Sequence, residues 1–450
     1  MKKLNILLVS FICLFTVSCD DFLDVQPVGK VIPTTYDDFR ALMTNAYETE
    51  GGLQSKSLAS IRGDEFTINE SQGDAKEHKD IYIWNDINQD LQVRVFDWQS
   101  YYKILVNVNH TINEGGEATD AKANDINQLL AEAYLLRAYT NFDLVNLYAD
   151  IYNADNLNKL AIPLATEIDL EKDYKRNTIK EVYAQINSDI NKGLELMVVE
   201  KQDKNINYRF SKVSALGFAA RVYLFMSEWD LASNYAKDAL VINSELVDLT
   251  LADAQSPVEY NSVENILAME RTFDNKVKSV TYISDKLVDA FDKTNDIRFS
   301  TFFEESKIIP DKYLGKIGGS DLKNKVSMRT AELYLILAEA QTKSVEGNLT
   351  EAKKYLKDLL ITRLKTTYYA AEAAAIDAMS KEDFIKKVEE ERMKELACQG
   401  FRWFDLRRNG KPELKKTFDG KEYTLKANDP RYVIPFPVEA VENNPNLKNN

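Results

Sequence analysis

The chain predicts a mostly all-α fold: a single large domain of tetratricopeptide-like helix pairs with long irregular excursions between them. Three observations carry this. Apolar residues recur at helical spacing through most of the 450 residues. Two capping boxes mark helix starts. Small and aromatic residues also fall at the offsets of a helix–turn–helix unit of about 34 residues. Regular alternation of helices with apolar strands, the mark of a doubly wound sheet, is absent.

In chain order, Thr35 and Asp38 form the first capping box, and Phe39, Leu42, Met43, Ala46 and Tyr47 then share one face. Residues 51–94 are mixed, with two glycine sites and the short run Ile81-Tyr82-Ile83-Trp84. A helix follows over about residues 95–113, where Trp98, Tyr101, Leu105, Val108 and Ile112 recur at helical spacing. Another covers residues 131–149. After an excursion through Pro163, the second capping box at Thr178 and Glu181 opens a stripe of Val182, Tyr183, Ile186, Ile190, Leu194 and Met197. A helix from Ser211 to about Ser227 is paired with one beginning near Trp229.

In that pair Ala220, Tyr223, Ala232 and Ala239 occupy the small, aromatic, small and small positions of the repeat. The small residues let two helices approach, and the tyrosine fills the groove beside them. Residues 328–364 repeat the design with Ala338 and Ala352 two residues farther apart, which implies a longer turn around Gly347-Asn348. A last helix starts at Ser380 and stops near Gly400. Such pairs bury their apolar faces only by stacking into a curved wall. Residues 245–327 and 408–450 break the pattern and read as irregular excursions, the second containing the strand-like run RYVIPFPVEA.

The amino terminus adds a compartment. Lys2 and Lys3 precede an apolar run at residues 4–17 that is too short to span a bilayer, and small Ser18 precedes Cys19. Residues 1–18 are read as a lipoprotein signal peptide, Cys19 as a lipidated amino terminus, residues 19–35 as an extended tether and residues 36–450 as the helical domain. Cleavage removes two lysines and takes the net charge from −14 to −16. That balance repels nucleic acid and anionic lipid surfaces. No other apolar run approaches membrane-spanning length, so attachment comes from the lipid.

Cys13 leaves with the signal peptide and Cys19 carries lipid. Cys398 then stands alone near a helix end and reads as a buried structural thiol. A catalytic triad or histidine-rich zinc site would need His78 or His110, the only two histidines, and both read as ordinary polar residues. The reading is therefore no catalytic residue, no metal and no cofactor.

Taken in order, the motifs resemble the SusD family (RagB/SusD) of lipid-anchored outer-membrane nutrient-binding proteins of Bacteroidetes. They are CDDFLD at residues 19–24, Trp98-x-x-Tyr101 followed by Asn109, and residues 131–148. Next come Arg176-x-Thr178-x-x-Glu181-x-Tyr183 ending at Asp189, Arg209-Phe210-Ser211 leading into Ala219-Ala220-Arg221-Val222-Tyr223, Asn295-Asp296-x-Arg298, and Lys312-Tyr313. The strongest are EERMKELACQGFRWFDLRR at residues 390–408 and IPFPVEAVENNPNL at residues 434–447.

The resemblance implies a non-catalytic, surface-exposed lipoprotein of the cell outer membrane. It would sit as a lid over a SusC-like TonB-dependent barrel, capture an oligosaccharide or sometimes a peptide, and hand it inward. It also implies that the repeat wall faces the barrel and that variable loops contact the ligand. Asp20-Asp21 is similar to the family's acidic export tag. The other readings are a repeat scaffold for envelope proteins, which predicts no small-ligand affinity, and a surface hydrolase, which predicts turnover.

A sugar site needs a flat aromatic face and fixed polar groups. Trp84, flanked by Tyr82, Asn85 and Asp86, is the first candidate, with Arg62 and Asp64 supplying hydrogen bonds from the preceding loop. Phe273 and Tyr282, with Arg271 beside them, form a second. Against each stands an ordinary reading as core aromatic or solvated charge. Trp98 and Trp229 lie on helical stripes and read as core. Within residues 390–408, Arg392 and Arg402 are expected to pair with nearby acids while Trp403 packs under the last repeat.

Overall fold

The computed structural model describes residues 33–87, 92–167, 172–318 and 322–448. The expected signal peptide, the expected lipidation site at Cys19 and nearly all of the expected tether lie outside the described residues.

The first helix, α1 (Tyr36–Glu48), carries the expected capping box: Thr35 accepts from the Asp38 amide while Asp38 accepts from the Thr35 amide. Then α2 (Gly51–Arg62) forms inside the stretch that reads as mixed. It is buried on nearly every side, including Gly51, Gly52, Ser55, Ser57 and Ser60, so it shows no polar face to the sequence. A Cβ at Gly52 would crowd the Glu270 and Asp143 carboxylates and the end of Lys56, so a larger residue would have to displace that ion-paired cluster. The short α3 (Ala75–Tyr82) follows.

The helical wall is α4 (Gln99–Glu114), α5 (Ala123–Tyr148), α6 (Ile179–Leu196), α7 (Lys212–Phe225) and α8 (Trp229–Ile242). Each packs on a sequence neighbour, and α1 packs on α4. Thr178 and Glu181 make the second capping box. Between α7 and α8, Ala220, Ala232 and Ala239 are fully buried, and Tyr223 stacks on Tyr235 with centroids 5.4 Å apart at 6°.

After the long excursion, α12 (Thr330–Lys343) packs on α8 and pairs with α13 (Leu349–Leu360). The longer turn between them requires Gly347, where a Cβ would lie 2.0 Å from the Gln341 carbonyl oxygen. Beyond it come α14 (Thr366–Ala378), α15 (Lys381–Glu395) and α16 (Arg402–Arg408). The α14 helix buries only Ile376, which leaves it without a sequence stripe.

The excursion at residues 245–327 holds short pieces: α9 (Asn275–Ser279), α10 (Asp285–Asp289) and α11 (Ile297–Phe302). Its strands pair in twos. In one antiparallel pair, β1 (Phe66–Ile68) meets β3 (Thr281–Ile283) with Thr67 opposite Tyr282. In a second, β2 (Asn265–Leu267) meets β6 (Met328–Arg329). In a third, β4 (Phe303–Glu305) meets β5 (Tyr313–Gly315) with Glu304 opposite Leu314.

The carboxy-terminal excursion carries a hairpin of β7 (Leu414–Phe418) and β8 (Lys421–Leu425), then α17 (Val438–Asn443). The strand-like run at residues 431–440 forms no strand: it leaves a 3-10 turn at Pro430–Tyr432. Pro435 and Pro437 lack the amide hydrogens that a ladder needs. Among the described residues, no helix is long and apolar enough to cross a membrane.

A lattice of buried ion pairs fastens α15 and α16 to the wall. Glu395 meets Arg363 at 2.9 Å, Arg329 at 3.0 Å and Arg298 at 3.4 Å, all fully buried or nearly so. Glu332 bridges Arg221 at 2.6 Å and Arg392 at 3.0 Å, and Arg392 also meets Asp405 at 2.9 Å. Arg402 pairs with Asp64, and Trp403 is fully buried against Tyr432 at 5.0 Å and 14°. The charged motif at residues 390–408 is thus a structural joint.

Candidate functional site

Two of the sequence candidates meet in one place. A cavity of about 310 Å³ lies where the β1–β3 pair, α9 and the β4–β5 pair converge, and Phe273 and Tyr282 both line it. Its floor is apolar: Phe66 stacks on Phe273 at 4.8 Å and 23°, beside Leu314, Ile317 and the buried Cys398. Its rim is polar. Asn69 donates from Nδ2 to the Tyr282 hydroxyl at 3.0 Å, which fixes the ring's tip.

Strand register places the remaining groups. Because Glu304 and Leu314 stand opposite each other, both side chains share one face, and both line the cavity. Lys278, on α9, donates to the carbonyl oxygens of Lys316 and Gly318, each at 3.1 Å. No carboxylate lies within ion-pair distance of its ammonium among the described residues, so the wall carries an uncompensated positive charge. Gly318 sits at φ +83°, and a Cβ there would fall 2.5 Å from that of Phe273, so the turn behind the aromatic floor needs glycine.

Beneath this floor lies a perturbed carboxyl. Glu65 is 1% exposed, and burial pushes its pKa up to about 8. The Cys398 amide, at φ +60°, donates to Glu65 Oε1 at 3.1 Å, while Oε2 has no partner. Burial also pushes the Cys398 thiol well above its usual range, so it is a structural thiol rather than a nucleophile.

The other sequence candidates are elsewhere, and the structure corrects their roles. Trp84 was expected to offer a stacking face, but it is 1% exposed at φ +59°. Its indole donates to the Arg62 carbonyl oxygen at 2.9 Å, and the Lys416 ammonium lies over the ring at 4.9 Å. Tyr82 is buried under the same ammonium at 4.1 Å. The polar flanks Asn85 and Asp86 suggest an exposed loop; in fact Asp86 holds Arg62.

Arg62 has no exposure at all. It makes a bidentate pair with Asp86 at 2.6 and 2.9 Å, and it also donates to the Arg431 carbonyl oxygen. Asp64 is held by Arg402 at 2.7 and 2.9 Å and by Lys286 at 2.7 Å, which keeps it ionised. Arg271 pairs with Glu50 at 2.9 Å, away from the cavity. Arg62 is wholly enclosed, although its Nε has no partner, and neither it nor Asp64 lines the cavity.

Sequence reasoning missed Asn69, Lys278 and Glu304. None belongs to a motif, and only their position in irregular segments could have pointed to them.

The chain compares well with known proteins. Residues 21–224 match a SusD-like family described as "Starch-binding associating with outer membrane", and residues 264–450 match the SusD family. SusD-like protein P2 of Formosa agariphila is 25% identical over 100% of this chain and 99% of its own length. A SusD superfamily protein from Bacteroides thetaiotaomicron superposes with a TM-score of 0.77 at 22% identity, over 92% of this chain and 98% of that one. A laminarin-binding SusD-like protein superposes at 0.62 and 18% identity, over 84% and 92% of the two chains.

Proposed function

The chain belongs to the SusD-like family, and from that premise we propose that it captures an oligosaccharide in the cavity between its excursions and passes it to a TonB-dependent outer-membrane barrel. The observation that carries this reading is the cavity itself: an apolar floor of Phe66 and Phe273 with Tyr282, Asn69, Lys278 and Glu304 arranged around it. Apolar sugar faces need such a floor, and hydroxyls need both donors and acceptors at the edge. The volume suits a short saccharide rather than a folded partner. The laminarin-binding relative supports a glycan as the ligand class.

On this reading the protein binds without turnover. The groups beneath the floor are a thiol and a carboxyl that both stay protonated near neutral pH, and neither touches a base. Cys19 carries lipid, residues 1–18 are removed, the tether spans residues 19–35, and the domain stands outside the cell on the outer membrane. The SusC-like barrel is the partner, with the repeat wall as the surface toward it.

The test is calorimetry on the full chain in detergent against maltoheptaose, laminarihexaose and a set of short peptides. Saturable binding of one glycan, weakened about tenfold by Lys278→Ala, with no products formed, supports the proposal. Peptide binding alone replaces the ligand class, and silence toward both favours a scaffold.

A further inference from the structure

A larger cleft lies on a different part of the molecule and shares no lining residue with the first cavity. It measures about 1110 Å³ and opens between the start of α4, the turn at Pro163, Tyr174 and the carboxy-terminal helix α17. Its centre is Trp98, which the sequence assigns to the core. The structure leaves Trp98 partly exposed. Tyr102 lies 4.8 Å from it at 31°, and Tyr148 and Phe436 meet it edge-on at 5.2 and 5.3 Å. Three rings therefore hold one indole in place while part of it faces solvent.

The other aromatic groups are equally fixed. Tyr102 donates to the Pro163 carbonyl oxygen at 3.1 Å, and the Tyr174 hydroxyl donates to the Glu167 carbonyl oxygen at 3.2 Å. Around them stand polar groups with no partner among the described residues: the Trp98 indole N–H, Gln99, Lys103, Glu439, Glu442 and Asn443. Donors and acceptors thus surround half-exposed rings, and two carboxylates are available to accept from paired hydroxyls.

We propose that this cleft is a second carbohydrate site, taking a neutral oligosaccharide with Trp98 as its platform and Glu439 and Glu442 as hydroxyl acceptors. The inference rests on the reading that this chain takes glycans. A peptide fits less well: no strand lines the cleft, so an extended main chain finds no ladder to join. The two carboxylates disfavour anionic ligands and lipid headgroups.

The experiment titrates the full chain in detergent with maltoheptaose and laminarihexaose, reading tryptophan fluorescence beside calorimetry. Trp84 and Trp403 are buried, and Trp229, partly exposed on α8, does not line the cleft, so a response lost in Trp98→Phe is the cleft's own. The expected result is a saturable fluorescence change that disappears in Trp98→Phe. It should weaken about tenfold when Glu439→Ala and Glu442→Ala are combined, and survive Lys278→Ala. The double variant alters only exposed side chains, so its loss of binding does not report misfolding. Binding abolished by Lys278→Ala alone, with the response unchanged in Trp98→Phe, overturns the second site and leaves the first. No binding to either sugar overturns both.

Discussion

The charges of this protein fall into two regions that behave in opposite ways. In the joint formed by α12, α15 and α16, Glu332, Glu339, Glu391 and Glu395 are almost fully buried, and each meets two or more cations. In the two cavities buried apolar groups such as Phe66 and Phe273 are edged by partly or fully exposed polar side chains: Asn69, Lys278 and Glu304 in the first, and Gln99, Glu439 and Glu442 in the second. A buried charge must be paired to be tolerated at all. A group that has satisfied itself internally has nothing left for a ligand. The difference teaches that charge density in the sequence marks the joint, whereas the proposed ligand sites lie where charged groups are sparse and free of ion-pair partners.

The strongest test of that contrast removes the hub. Glu395→Ala strands Arg363, Arg329 and Arg298 with less compensation, and breaking a buried network of this kind costs roughly 3–5 kcal/mol. Urea denaturation should show that loss as a lower midpoint at unchanged slope. A loss under about 1 kcal/mol would mean that the joint is not what holds α15 to the wall.

Next in size is Trp84→Ala, which empties a site enclosed by Tyr82, Arg62 and Lys416 and should destabilise by about 3 kcal/mol. Saccharide affinity of the remaining folded protein should stay within about twofold. A selective loss of binding with normal stability would restore Trp84 as a platform.

The two regions should also separate by pH. Glu332 and Glu395 are each pulled down to about 2, with burial opposing and their arginines prevailing. Their stabilisation is fully present above the unfolded value near 4.5 and is lost as pH falls toward 2. Glu65 is raised by burial to about 8. It binds its proton more tightly when folded, so its contribution is complete below about 4.5 and is lost as pH rises through 8. A melting profile should therefore fall on both sides. Glu65→Gln should flatten the alkaline side only, and an unchanged alkaline limb would contradict the burial of a protonated carboxyl there.

How far the sequence reveals each region follows from distance along the chain. The wall is legible because caps and stripes are local: Thr35 with Asp38, Thr178 with Glu181, and Ala220 with Ala232 need no tertiary knowledge. The α2 helix is not, because it begins at two glycines behind Glu50 in the left-handed region and is enclosed by other elements. Phe273 and Tyr282 draw attention in the sequence because they interrupt an irregular segment, and both line the cavity. Arg62 and Asp64 were misread because their partners, Asp86 and Arg402, lie 24 and 338 residues away. Lys278 is invisible for the same reason: its tethers are backbone carbonyls of residues 316 and 318 across a strand turn.

The smallest effect is the most discriminating control. Lys354 and Asp358 form an ion pair one turn apart on α13, at 2.5 Å with side-chain exposures of 69% and 39%. By distance alone it resembles the pairs of the joint, yet water solvates both partners before and after folding. Such i,i+4 pairs are worth about 0.3–0.5 kcal/mol and are screened by salt. Lys354→Ala should thus lower stability by no more than about 0.5 kcal/mol, and the difference should vanish near 1 M salt. If this variant instead rivalled Glu395→Ala, contact geometry rather than burial would govern charge in this fold, and the contrast between joint and cavity would fail as a guide to where ligands bind.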